Sequence, residues 1–223
     1  MEQHSTSYIG LDIHKDSIAI AVAGPGRKSP RFVGTVTTVP SSLTKSLLHV
    51  ADKAHAHIVY EAGPSGYGWA RYLRGQGWDC DVIAPSRINR SVADKRIKTD
   101  RRDALLLAKE SRAGNLVSIV VPDARDEAIR DLARARADAV AARLRARLQL
   151  QAMLLRHGRN YNGKARWTRA HERHLASLRF DHPAQDIAFN EYRQAVTAAD
   201  EALKRMTEAL RTQSMEWRMR PLV

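Results

Sequence analysis

Cysteine is nearly absent from this chain. Cys80 stands alone among 223 residues, so an internal disulfide and a cysteine-rich zinc site are both excluded. No apolar run approaches the roughly 18 residues that a membrane helix needs. Residues 1–7 are polar and lack the apolar core of a signal peptide. A soluble, cytoplasmic protein without a membrane partner is the expectation. Acidic residues are also in deficit, 24 against 37 Lys and Arg, which leaves a net charge of +13 and favours a polyanionic partner. What is present is globular: 43% of residues are apolar, in a chain long enough for one large domain or two modest ones.

Gly and Pro punctuate the first half. Residues 8–13 and 17–23, rich in Ile and Val, read as two strands around His14-Lys15-Asp16, and 31–39 reads as a third. Ser41 or Ser42 can cap a helix running to about 54. Residues 57–61 form a short apolar strand ending on Glu61. A helix over 67–74, a strand over 81–84 and a helix over 99–113 follow. The expected fold class is α/β, a mixed sheet with flanking helices.

Four acids stand out in that order. Asp12 interrupts Ile9, Leu11 and Ile13 in an apolar strand, where an unpaired charge is costly. Glu61 ends a strand that can neighbour it at ~4.8 Å. Asp100 and Asp103, three residues apart, project from one helix face. Each has a plain structural reading. Thr99 is a plausible N-cap that would make Asp100 a first-turn acid favoured by the helix dipole, and Asp103 can balance Arg102 or Lys109. Glu61 can be a solvated strand end. As a set they suit hard divalent cations, Mg²⁺ or Mn²⁺, for phosphodiester chemistry. His14 and Asp16 can serve as spare ligands or a general base, with turn residues the favoured reading.

Gly10-Leu11-Asp12-Ile13, Tyr60-Glu61-Ala62-Gly63 and Lys98-Thr99-Asp100-Arg101-Arg102-Asp103-Ala104 resemble the Asp-Glu-Asp-Asp transposases of insertion sequences, the "IS one-ten" family. The resemblance covers residues 6–113 by motif, and the helical region after them by character. It implies a RuvC-like domain of ribonuclease H fold whose catalytic and metal-binding residues are Asp12, Glu61, Asp100 and Asp103. It also implies DNA cleavage and transfer guided by a structured RNA, and a C-terminal domain bearing a nucleophilic serine. After residue 130 the serines are Ser177 and Ser214, neither in such a motif, and Val223 falls about where that domain should begin. A truncated chain is the expectation.

The domains expected are residues 1–120, metal-binding, and residues 121–223, an all-α coiled-coil and nucleic-acid-binding region. Residues 125–157 lack Gly and Pro and favour a long helix, with Ile129, Leu132, Val140, Leu144, Leu148 and Leu155 near one face. A short helix over 168–178 comes next. Phe189, Tyr192, Val196, Ala199, Leu203, Met206 and Leu210 then mark a seam of about three heptads. That seam can pair with the long helix or with a second copy, and a homo-oligomer, dimer or tetramer, is the favoured outcome.

Residues 134–179 hold twelve Arg or Lys against two acids. Arg143, Arg147, Arg156 and Arg159 suit phosphate contact. Lys164, Arg166, Trp167 and Arg169 set a ring among cations, a combination that can stack on an unpaired base. Arg96, Lys98, Arg101 and Arg102 put further cations beside the acids. Two other readings compete with a transposase: a metal-dependent nuclease or junction resolvase, and a non-catalytic basic nucleic-acid-binding protein.

Overall fold

Strand β1 (Ser7–Ile13) lies at the centre of a five-stranded sheet ordered β3-β2-β1-β4-β5. The computed structural model describes residues 7–88 and 99–217. Arg96 and Lys98 lie outside them. β2 (Ser17–Ala23) pairs antiparallel with β1, and β3 (Arg31–Thr37) antiparallel with β2. After helix α1 (Pro40–Val50), β4 (Ala56–Glu61) runs parallel to β1 on its other side. Helix α2 (Gly68–Gly75) then leads to β5 (Asp79–Ile83), parallel to β4. Helix α3 (Asp100–Arg112) completes the set. This is the mixed α/β sheet with flanking helices that a ribonuclease H-like fold requires.

Helices cover both faces, which explains why the central strands read as continuous apolar runs rather than alternating ones. On one face Ile9, Leu11, Ile18, Ile20, Ile58 and Tyr60 pack with Leu43 and Leu47 of α1 and Leu73 of α2. On the other, Ala19, Ala21 and Ala23 meet Ala104 and Ala108 of α3, while Val59 and Ile83 meet Leu107. Small side chains on both partners let α3 lie close to the sheet.

Some local details differ from expectation. α1 starts at Pro40, with Val39 as its N-cap and no side-chain cap bond, so neither Ser41 nor Ser42 caps it. Pro at the first position needs no partner for an N–H it lacks, which makes a serine cap dispensable. The helix stops at Val50, and a single 3-10 turn (Lys53–His55) precedes β4.

The chain divides into two units, Met1–Pro122 and Asp123–Val223. The second is built from α4 (Ala124–Arg156), α5 (Arg169–Ser177) and α6 (Pro183–Gln213). α4 and α6 pack antiparallel: Asp126 bonds Trp217, Arg136 bonds Thr207, and Arg147 bonds Asp200. Their core holds Ala146, Leu150, Met153, Leu154, Phe189 and Val196, with Leu175 from α5. The stripe expected to be one working face of α4 is split. Ile129 is buried, whereas Val140, Leu144, Leu148 and Leu155 are exposed. At 100° per residue those four lie well around the helix from the buried set. α4 therefore carries two apolar stripes, of which α6 covers one.

Candidate metal centre

Asp12 is the next-to-last residue of β1, where successive side chains point to opposite faces of the sheet. Ile9 and Leu11 enter the core under α1 and α2, so Gly10 and Asp12 face α3. The parallel register pairs Leu11 with Tyr60, which sets Asp12 and Glu61 side by side, one residue further along each strand. Val59 packs against Leu107, and Glu61, two residues on, shares that face. Tyr60 holds the chain beyond it. Its buried hydroxyl donates to the Gly66 carbonyl (3.1 Å) and accepts from the Ala70 N–H (3.3 Å), and burial pushes its pKa up to about 12. Ser65 then donates to the Ile13 carbonyl (3.1 Å), tying the loop after Glu61 to the end of β1.

The third element is the start of α3. Thr99 is its N-cap, accepting from the Arg102 N–H, and Asp100 and Asp103 lie in the first turn. The cap and dipole roles are thus real for Asp100, and they coexist with a second role. α3 reaches the acids because residue 10 has no side chain. A Cβ there would sit 2.6 Å from the Ala108 nitrogen and 2.8 Å from the Leu107 Cβ, and closer still to the Ala104 carbonyl.

Three side chains converge. His14 Nε2 lies 3.2 Å from Asp12 Oδ2 and 3.3 Å from Asp100 Oδ1. One ligand atom from each of the three falls within 4.8 Å of the others. Asp103 is 8% exposed and close enough for its charge to act on Asp12. Burial raises the Asp12 pKa above its ordinary value; His14 opposes that shift, while Asp103 and Asp100 add to it. Glu61 is half-buried on the same face but is not one of the three converging groups.

His14, favoured in the sequence as a turn residue over a spare ligand or general base, meets the acids in the structure. Its amide does make the turn, donating to the Ser17 carbonyl at 2.8 Å, but its ring turns back to the acids. The signal was its i, i+2 spacing from Asp12, which returns a strand residue to the same face. Two carboxylates and one imidazole so placed form a donor set that can hold a metal ion. Cys80, its thiol pushed up to about 12 by burial, lies in the core on the opposite face and adds no soft ligand.

The basic residues fall into two groups. Arg156, Arg159, Lys164, Arg166 and Arg169 are exposed, as are Arg101 and Arg102. Arg101 also rests over the Phe32 ring at 5.3 Å. Arg147 is engaged within the protein, bonded to Asp200 and stacked over Trp167 at 4.5 Å, and Arg143 lies 4.0 Å from Asp200. Among the described residues no helix is long and apolar enough to cross a membrane.

Residues 9–158 match the family model of DEDD transposases of the IS110 type, described as Transposase. The chain is 43% identical over 194 residues to y4qE of Sinorhizobium fredii, a protein named as a transposase; that match covers 86% of this chain and 50% of the relative. It is 33% identical over 207 residues to the "Transposase for insertion sequence element IS1533" of Leptospira borgpetersenii, covering 91% of this chain and 59% of that one. The chain thus spans little more than half the length of these curated relatives. With the motif acids, the sheet and the family match in agreement, this chain belongs to the IS110 family of insertion-sequence transposases.

Proposed function

We propose that the chain supplies the metal-binding part of a transposase that cleaves and transfers DNA strands during insertion-sequence movement. In this reading residues 1–120 form the metal-binding domain and residues 121–223 the nucleic-acid-binding one. Asp12, Asp100 and Asp103 hold Mg²⁺ or Mn²⁺, with Glu61 as the fourth acid and His14 fixing the carboxylates. The ion would neutralise phosphate charge and lower the pKa of a bound water. The chain's own residues hold that charge in place at the end of a rigid sheet. Exposed Arg101 and Arg102 on the same helix as Asp100 suit the phosphate backbone.

The observation that carries this reading is the meeting of Asp12 and Asp100 through His14, from elements 88 positions apart in sequence. In the second unit, exposed Arg156, Arg159, Lys164, Arg166 and Arg169 favour nucleic-acid contact, by DNA or by the structured guide RNA that the family resemblance adds. The uncovered stripe Val140, Leu144, Leu148 and Leu155 favours a homo-oligomer.

Calorimetry with Mg²⁺ and Mn²⁺ tests the proposal on the wild-type chain and on Asp12→Ala, Asp103→Ala and Glu61→Gln variants, each checked for folding by circular dichroism. Loss of binding in Asp12→Ala and Asp103→Ala joins β1 and α3 in one site. Equal binding in all four proteins, or none in any with or without DNA, overturns the catalytic reading.

A further inference from the structure

Trp167 has a left-handed backbone, φ +63°, the sole non-glycine residue with a positive φ among the described residues. A bulky residue rarely adopts that region, and such strain persists where the surroundings over-determine it. The surroundings here are specific. The Trp167 N–H donates to Nδ1 of His171 at 3.2 Å, and His171 is 1% exposed. Burial lowers the His171 pKa, which keeps that nitrogen available as an acceptor. The Arg147 guanidinium lies over the indole at 4.5 Å and is itself held by Asp200 through bonds of 2.8 and 3.1 Å.

Trp167 also lines a cleft of about 620 Å³, within the usual range of small-ligand sites. Its wall carries Glu172, Asn190, Arg193, Gln194 and Glu201. An adjoining hollow shares Trp167 and Glu172 and adds Arg169 and Arg173. The paired hollows thus offer the indole, whose ring Arg147 and His171 also contact, amides and carboxylates that bond along an edge, and three guanidinium groups, Arg193 in the cleft and Arg169 and Arg173 one step away. A planar heterocycle with N–H and C=O groups on its rim, joined to an anion, satisfies all three. An anion in the deeper cleft would meet Arg193 together with Glu172 and Glu201, whereas the adjoining hollow sets two guanidinium groups against Glu172 alone.

We propose that this cleft receives a single unpaired nucleotide of a nucleic-acid strand, with its base stacked on Trp167 and its phosphate at Arg169 and Arg173. The assignment rests on the nucleic-acid reading above and deepens it. Carboxylates on the wall accept from ring N–H and exocyclic amino groups, so bases rich in donors, guanine above all, fit best.

Fluorescence anisotropy of the 223-residue chain tests this, with labelled single-stranded RNA, single-stranded DNA and a blunt duplex as probes. Trp167→Ala should weaken single-strand binding by about 5- to 100-fold, the effect of losing one stacked base, and leave duplex binding unchanged. Trp167→Phe should retain most of the affinity. Because Trp167→Ala can disturb the unit's packing, Gln194→Ala and Glu201→Gln serve as wall variants that keep the indole; each should weaken single-strand binding without lowering the melting temperature. A larger effect on RNA than on DNA assigns the strand to RNA, and the reverse to DNA. If all probes weaken together in Trp167→Ala, or if the wall variants bind like wild type, the inference is overturned while the nucleic-acid reading stands. If the wild-type chain binds no probe, both fall.

Discussion

Gly10 of β1 and Ala104 of α3 meet backbone to backbone, with no room between them for a methyl group. That contact sets how close the first turn of α3 comes to the end of the sheet, and so whether Asp100 reaches Asp12 and His14. Gly10→Ala should cost about 1–3 kcal/mol, as overpacking does where the neighbour is backbone and cannot turn aside. It should weaken Mn²⁺ binding as well, because α3 must shift. Gly24→Ala, where an added Cβ meets nothing within 4 Å, should stay within about 0.5 kcal/mol of wild type. Chemical denaturation and calorimetry of the two variants check both halves. Equal stability of the two would remove Gly10 from the account.

Much of this is legible in the sequence alone. The Ile/Val runs marked the strands, and Asp12 was conspicuous as a charge in one of them. Thr99, Asp100 and Asp103 together announced a helix start that carries acids. Other features were not legible because tertiary packing decides them. A turn residue such as His14 reveals its second role only when α3 arrives. α4 repeats apolar residues on two stripes, and periodicity cannot say which one α6 will cover. Trp167 among cations read as a free stacking ring, yet Arg147, twenty positions earlier, occupies one of its faces.

The charge on Asp12 should work against folding at neutral pH. Burial, with help from Asp103 and Asp100, raises its native pKa above the ordinary 3.8. A carboxyl raised in this way favours the native state while protonated. That contribution is full below pH about 4 and is lost as pH rises through the native value. In chelator-treated buffer Asp12→Asn should therefore be more stable than wild type at pH 7, and the gap should close toward pH 3. Saturating Mn²⁺ should reverse the order at pH 7, since ligand at about 100 times its Kd adds about 2.7 kcal/mol to a protein that binds it. Urea titrations at the two pH values would contradict the account if the gap were constant.

His14→Ala should lower Mn²⁺ affinity by roughly 10- to 100-fold, the usual effect of removing a group that orients metal-binding carboxylates. The loss should be smaller than in Asp12→Ala, which removes a charge. His14→Asn can still donate toward Asp12 and should recover part of it. Calorimetry on the three variants orders them. An unchanged affinity in His14→Ala would reduce the residue to its turn.

At the open end of the helical hairpin, beside the 3.9 Å pair of Arg125 and Glu216, lies a bond whose strength can be isolated. Asp126, 5% exposed in the first turn of α4, accepts from the Trp217 indole N–H at 2.7 Å. Trp217 follows α6, so the bond spans 91 positions and closes the hairpin where its chain ends meet. A hydrogen bond to a buried carboxylate is worth more than a neutral one, and deleting the donor removes part of what offsets the acceptor's desolvation. Trp217→Phe keeps a ring and removes only the donor and part of the apolar area, and should destabilise the chain by about 1–3 kcal/mol. Asp126→Asn retains an acceptor without the charge and should cost less. The double variant decides between bonding and packing. If the bond carries the effect, the double variant should cost clearly less than the two single variants together. If packing does, the costs should add within about 0.5 kcal/mol.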